Sequence, residues 1–171
     1  MYTIISPFLH LCIFRIGPQN LPTSLLLLSI VLAGYTASEV VGFMVYRPSH
    51  EALLAGLLGT VLLTGLTISV LCIQRHQTRL IQTLTALFGA LTVLNVLELP
   101  LTSWLLSAHT SGTAEGAPLL LLMMLIGWSL TVQGNILRHA LSTPLFMGLM
   151  ISMFFFAITN SVTRSMFLPP Q

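Results

Sequence analysis

Residues 52–73 read ALLAGLLGTVLLTGLTISVLCI, an apolar run broken by no charged side chain. As a helix rising ~1.5 Å per residue, it is long enough to cross the ~30 Å hydrocarbon core of a bilayer. Polar turns bound it: Arg47-Pro48-Ser49-His50-Glu51 before it, and Gln74-Arg75-His76-Gln77-Thr78-Arg79, the most polar run in the chain, after it. The same pattern recurs on both sides. A segment over 22–46 opens at Leu21-Pro22-Thr23-Ser24, where Pro suits a first helical turn and Thr or Ser can cap it. A third covers 80–106, with Pro100 expected to kink or end it near Leu99 and Trp104 approaching the far interface. His109 to Gly116 is small, polar and Gly-containing, hence a loop.

A fourth segment covers 118–138. Its continuous apolar core, 118–132, is short for a crossing, so it either extends while Arg138 snorkels to the headgroups or lies tilted or re-entrant. The fifth follows Thr143-Pro144 over 144–163. Met1 to Ile16 is apolar but lacks a basic n-region and a small-residue cleavage pattern, which predicts a retained interfacial segment limited by Pro7 and Pro18. The expected fold is therefore all-α: a polytopic transmembrane helical bundle of about five passes in a single domain over 1–171.

Composition leads to the same class. The chain is 55% hydrophobic and only 6% charged, against ~25% charged for soluble domains. Every charged residue is Arg or Glu, and so small a set could not solvate a soluble surface; the natural solvent is the lipid bilayer. A net charge of +2 without clustered Arg argues against a nucleic-acid partner. Cys12 and Cys72 form no CxxC or ligand pattern and read as small hydrophobes. Met147, Met150 and Met153 stand beside Phe154, Phe155 and Phe156 without His or Cys at helical spacing, which favours packing over copper. No metal and no cofactor is expected. GxSxG, HExxH and Gly-rich phosphate motifs are absent, which argues against an enzyme. An odd number of passes without internal repeat argues against a duplicated transporter half. With the amino terminus cytoplasmic, Arg15, Arg75, Arg79 and Arg138 fall inside and Arg47 and Arg164 outside, the bias expected of cytoplasmic loops.

Two kinds of residue stand out within the spans. Gly34, Ser38 and Gly42 recur every four residues on one helical face, and Ala52, Gly56, Thr60 and Thr64 echo them, the pattern that lets helices approach closely in lipid. Gly127, Thr131, Gly134 and Arg138 share a face of the fourth segment, with Asn135 at its margin and Gln133 nearby. The first use of these small residues is packing within the bundle, the second an oligomeric interface. Glu39 lies well inside the first segment, where an ionised carboxylate costs several kcal/mol unless neutral, paired or facing water. Glu98 precedes Pro100, nearer to water, and Arg138 is a natural partner for either carboxylate.

Residues 14–24, FRIGPQNLPTS, and 128–141, WSLTVQGNILRHAL, resemble the two signature stretches of a group of small proteobacterial inner-membrane proteins. The resemblance implies a bacterial inner-membrane location and transfers no functional residue. The layout is also similar, in topology alone, to that of Yip1-type five-pass membrane proteins, whose acidic-Tyr-Gly-Pro motif is absent here before the first pass. Two functions remain as expectations. One is a non-enzymatic accessory or scaffold subunit packing against a homo- or hetero-oligomeric membrane partner. The alternative is a small proton- or ion-coupled transporter or channel using Glu39, Glu98 and Arg138.

Overall fold

Ser24 starts the first long helix as the residue type requires: its side-chain oxygen accepts from the Leu27 amide at 3.3 Å, satisfying one of the free donors of the first turn. A computed structural model describes residues 2–75, 77–112 and 114–167 of the chain. Among them are six helices: α1 (Tyr2–Cys12), α2 (Leu25–Met44), α3 (Ser49–Ile73), α4 (Leu80–Ser111), α5 (Gly116–Leu141) and α6 (Leu145–Phe167). The fold is an all-α bundle, and α2 to α6 are each long and apolar enough to cross a membrane. Helices of that kind imply contact with the lipid bilayer, where only a closed hydrogen-bonded backbone is tolerated.

The helix ends refine the expected boundaries. Ser49, His50 and Glu51 form the first turn of α3 rather than a turn between helices, with Pro48 as the extended residue before it. Arg47 and Glu51 then meet at 3.5 Å along that turn. Pro100 does not end α4, which runs on to Ser111. The stop comes from Gly112, whose φ of +65° lets its amide reach back to the Ala108 and His109 carbonyls. The fourth crossing is longer than its apolar core suggests, because α5 starts at Gly116 and runs to Leu141. At ~1.5 Å per residue α5 exceeds the ~30 Å core, and Gln133 and Asn135 lie inside it.

Helix pairing runs α3–α2–α4–α5–α6, and α6 returns to α3, so the five long helices close a ring. Glycine sets the closest approaches. Gly56 of α3 sits on the backbone of Val40 in α2, and Gly134 of α5 on the backbone of Leu149 in α6. Gly148 of α6 in turn faces the Gly134 carbonyl. The face of α2 bearing Gly34, Ser38 and Gly42 turns to α4, where the neighbours are Thr92, Asn95 and Leu99. Buried hydroxyls cost little in this setting, since Thr60, Thr67, Thr83 and Thr85 each donate to the carbonyl four residues earlier.

Alternating helix direction sorts the bundle into two ends. The first end gathers the start of α2, α4 and α6 and the finish of α3 and α5; the second gathers the reverse. Helix α1 packs against α4 and α5, running through Pro7 with Phe8, Leu11 and Cys12 buried. Gly89 of α4 makes room for the Phe8 ring, and the Cys12 carbonyl accepts from the Trp128 indole at 3.2 Å. Burial pushes the Cys12 thiol up to about 11, so it stays protonated as an apolar filler. The apolar core lies on this side, around Phe88, Leu87, Val132, Ile136 and Leu137, with Tyr35 stacking obliquely on Phe88 at 5.1 Å. The other half is not filled.

Candidate functional site

The ring encloses a cavity of ≈ 680 Å³ between the middle of the bundle and its second end. That volume falls within the ~300–1,000 Å³ of ordinary small-molecule sites. Tyr35, Leu63, Leu91 and Phe155, all from the packed core, line its inner reach, and Tyr46 and Arg47, just beyond α2, and Thr163 and Arg164, in the last turns of α6, line it toward the second end. Every long helix contributes a wall.

Glu39 is the centre of its polar surface. The Asn95 amide donates to Glu39 Oε1 at 2.9 Å and to Ser38 Oγ at 3.2 Å, tying α2 to α4. The Ser38 hydroxyl donates to the Tyr35 carbonyl at 2.8 Å, and the Tyr35 hydroxyl faces the Glu39 carboxylate. The second carboxylate oxygen lies toward Gly59 of α3, 3.6 Å from where a Cβ would stand there. Just beyond α2, Tyr46 is raised above the usual phenol range by burial and then by the nearby Glu98 carboxylate.

Glu98 lines the same cavity one helical turn beyond Asn95, and among the described residues no hydrogen bond or ion pair is seen at its carboxylate. Two carboxylates therefore face one intramembrane hollow. Thr102, Ser129, Gln133, Thr159 and Asn160 add hydroxyl and amide groups around them. Arg47 and Arg164 line the same cavity toward the second end, so two carboxylates and two guanidinium groups share it with these hydroxyls and amides.

The expected pairing of Arg138 with Glu39 or Glu98 is not made. Arg138 stands in the last turn of α5 at the first end of the bundle, beside Arg79, His139, Ser142 and Thr143. The α5 residue that reaches the cavity is Gln133, more than a turn earlier; Asn135 is buried but does not line it. The small residues divide as well. Gly34, Ser38, Gly42, Gly56 and Gly134 lie at helix contacts, whereas a side chain at Gly127 would meet nothing within 4 Å. Gly127 thus packs against no other helix among the described residues and lies on the outward face of α5, with exposed Met123, Met124 and Trp128.

Asn95, Tyr35 and Gly148 are the residues that sequence reasoning passed over. A signal existed for Asn95, which precedes Glu98 by three residues and so shares its helix face. Gly148 carried no comparable signal. No known protein family, no curated protein and no solved structure matches the chain.

Proposed function

We propose that the chain is a non-enzymatic integral membrane protein that takes a cationic solute, protons included, into its interior cavity. It acts as a small ion-coupled carrier or channel of a bacterial inner membrane. One observation carries the reading: Glu39 and Glu98 face a single hollow between the spanning helices. A carboxylate in a spanning helix is costly, and a water-filled cavity that binds cations gives it a use. Packing alone does not require the hollow. The accessory-subunit alternative draws less support, because Gly34 and Gly42 meet α4, Gly56 meets α2 and Gly134 meets α6, all within the chain itself.

The test is flux. Protein reconstituted in liposomes containing a pH-sensitive dye should move protons or a cation under an imposed potential. Glu39→Gln keeps the Asn95 contact, since an amide oxygen still accepts, but cannot ionise. Flux should fall roughly tenfold or more in that variant while melting temperature and abundance hold. Wild-type liposomes without flux, together with a stoichiometric companion in mild-detergent purification, would establish the accessory reading instead.

In this proposal the first end, with Arg75, Arg79 and Arg138, faces the cytoplasm, and the cavity opens away from it. A reporter fused after Gln77 should then read cytoplasm and one at Gln171 periplasm. Reversed readings would put the cavity on the cytoplasmic side, and identical readings would remove one of the five crossings.

A further inference from the structure

We propose that the first end of the bundle holds a binding site for a phosphate-bearing anion, centred on Arg138 and Arg79. A second hollow of ≈ 530 Å³ lies there, lined by Gln19, Arg79, Arg138, His139, Ser142 and Thr143. Two guanidinium groups share it, and among the described residues no carboxylate lines it.

The chain cannot supply the counter-charge. It has four acidic side chains in all. Glu39 and Glu98 line the interior cavity, Glu51 pairs with Arg47 and Glu115 with His109, so all four belong to the other half of the bundle. An anionic partner for these guanidinium groups therefore comes from outside the chain.

The hollow is also built. Arg79 Nη1 donates to the His139 carbonyl and the Ser142 hydroxyl, both at 3.2 Å, which fixes that guanidinium across the end of α5. Ser142 holds φ at +55° there, a conformation rare outside glycine. Glycine would suit that backbone better but would lose the hydroxyl that Arg79 uses. Arg138 Nη2 lies 3.4 Å from His139 Nε2, while among the described residues Arg138 Nε and Thr143 Oγ1 are buried without a hydrogen-bond partner. Two stranded donors beside two cationic side chains ask for oxygens. Arg79 and Thr143 also stand just before α4 and α6, whose amino-terminal ends favour negative charge. A phosphate group answers each feature: it accepts from planar guanidinium groups and from a hydroxyl, and it carries the missing charge. At a helix end next to the headgroups it has two sources, the headgroup of an anionic phospholipid or free inorganic phosphate.

The experiment measures thermal melting in nanodiscs. Adding phosphatidylglycerol to phosphatidylcholine discs should raise the wild-type melting temperature by several degrees. Arg138→Gln should lose at least half of that gain, whereas Arg75→Gln, an exposed cation at the same end but outside the hollow, should keep it. Thr143→Val guards against a folding artefact: it removes a stranded donor, so stability in phosphatidylcholine holds while the phosphatidylglycerol gain shrinks. In a parallel arm, millimolar inorganic phosphate replaces chloride at matched ionic strength in phosphatidylcholine discs. A gain that depends on Arg138 in this arm identifies free phosphate as the ligand; a gain confined to phosphatidylglycerol identifies the headgroup. No gain in either arm, or equal losses in the Arg75 and Arg138 variants, overturns the site.

Discussion

Gly148→Ala should deprive the chain of most of its folded protein, although it adds a single methyl group. The new Cβ would fall on the Gly134 carbonyl oxygen and against the Arg138 backbone nitrogen and Cβ, at positions held by helix α5. A flexible side chain can turn away from such a collision; a helical backbone cannot. Relief requires α5 and α6 to separate along their whole contact, and α6 also closes the ring against α3. Overpacking a core commonly costs ~1–3 kcal/mol, and a backbone obstruction belongs at the upper end of that range. The measurement is the yield of monodisperse protein in mild detergent, with its melting temperature. Gly65→Ala and Gly127→Ala are the controls, since neither new Cβ meets anything within 4 Å. Alanine is a better helix former than glycine, so those two should be neutral or stabilising by ~0.5–1 kcal/mol. Equal tolerance at all three positions would show that α5 and α6 are not packed through Gly148.

Asn95→Asp should also be damaging, and Glu39→Gln should repair part of the damage. The substitution keeps the shape of residue 95 but removes the amide donors that serve Glu39 Oε1 at 2.9 Å and Ser38 Oγ at 3.2 Å, and a carboxyl group has at most one proton to give to the two acceptors. Ser38 cannot compensate, because its hydroxyl proton already goes to the Tyr35 carbonyl. Each stranded acceptor costs ~1–3 kcal/mol, and more where it is charged. In the double variant the residue 39 amide donates to the residue 95 carboxylate, so that bond returns with its direction reversed, while the bond to Ser38 Oγ stays lost. Melting temperatures of wild type, both single variants and the double variant form a cycle, and the coupling should be of the order of 1–3 kcal/mol. A cycle that closes additively would mean that Glu39 and Asn95 do not touch. The pair also bears on function: it returns a single carboxylate to the α2–α4 contact, now on α4, and flux in the double variant would show that the charge matters more than the helix carrying it.

The membrane helices were legible because their cause is one-dimensional. A run such as 52–73 needs only its own hydropathy and its flanking polar turns to declare a crossing, and the Ser24 cap needs only the next turn of its own helix. Misread boundaries have local causes too. Pro100, expected to kink or end its segment near Leu99, does not end it, because a helix survives the loss of one bond when the residues beyond remain apolar, and Gly112 supplies the actual stop. The extra length of α5 comes from Gln133 and Asn135, polar groups that interrupt an apolar run yet turn inward.

Depth within the bundle was likewise written in the chain. Arg138 stands three residues from the end of α5 and Glu39 about three-quarters of the way along α2 toward the opposite end, so their separation follows from counting along antiparallel helices at ~1.5 Å per residue. Azimuth was not. Which face of each helix meets which neighbour depends on how five cylinders pack together, and small residues permit contact without naming the partner. The same local pattern therefore left Gly127 facing outward and put Gly134 against Leu149. Only the closed ring brought Asn95 to Glu39, joined Glu98 to the same hollow and left Arg138 with Arg79 at an end that has no acid of its own. Hydropathy along a chain is a property of each segment by itself, whereas a shared cavity is a property of the packing angles between segments, which no single helix contains.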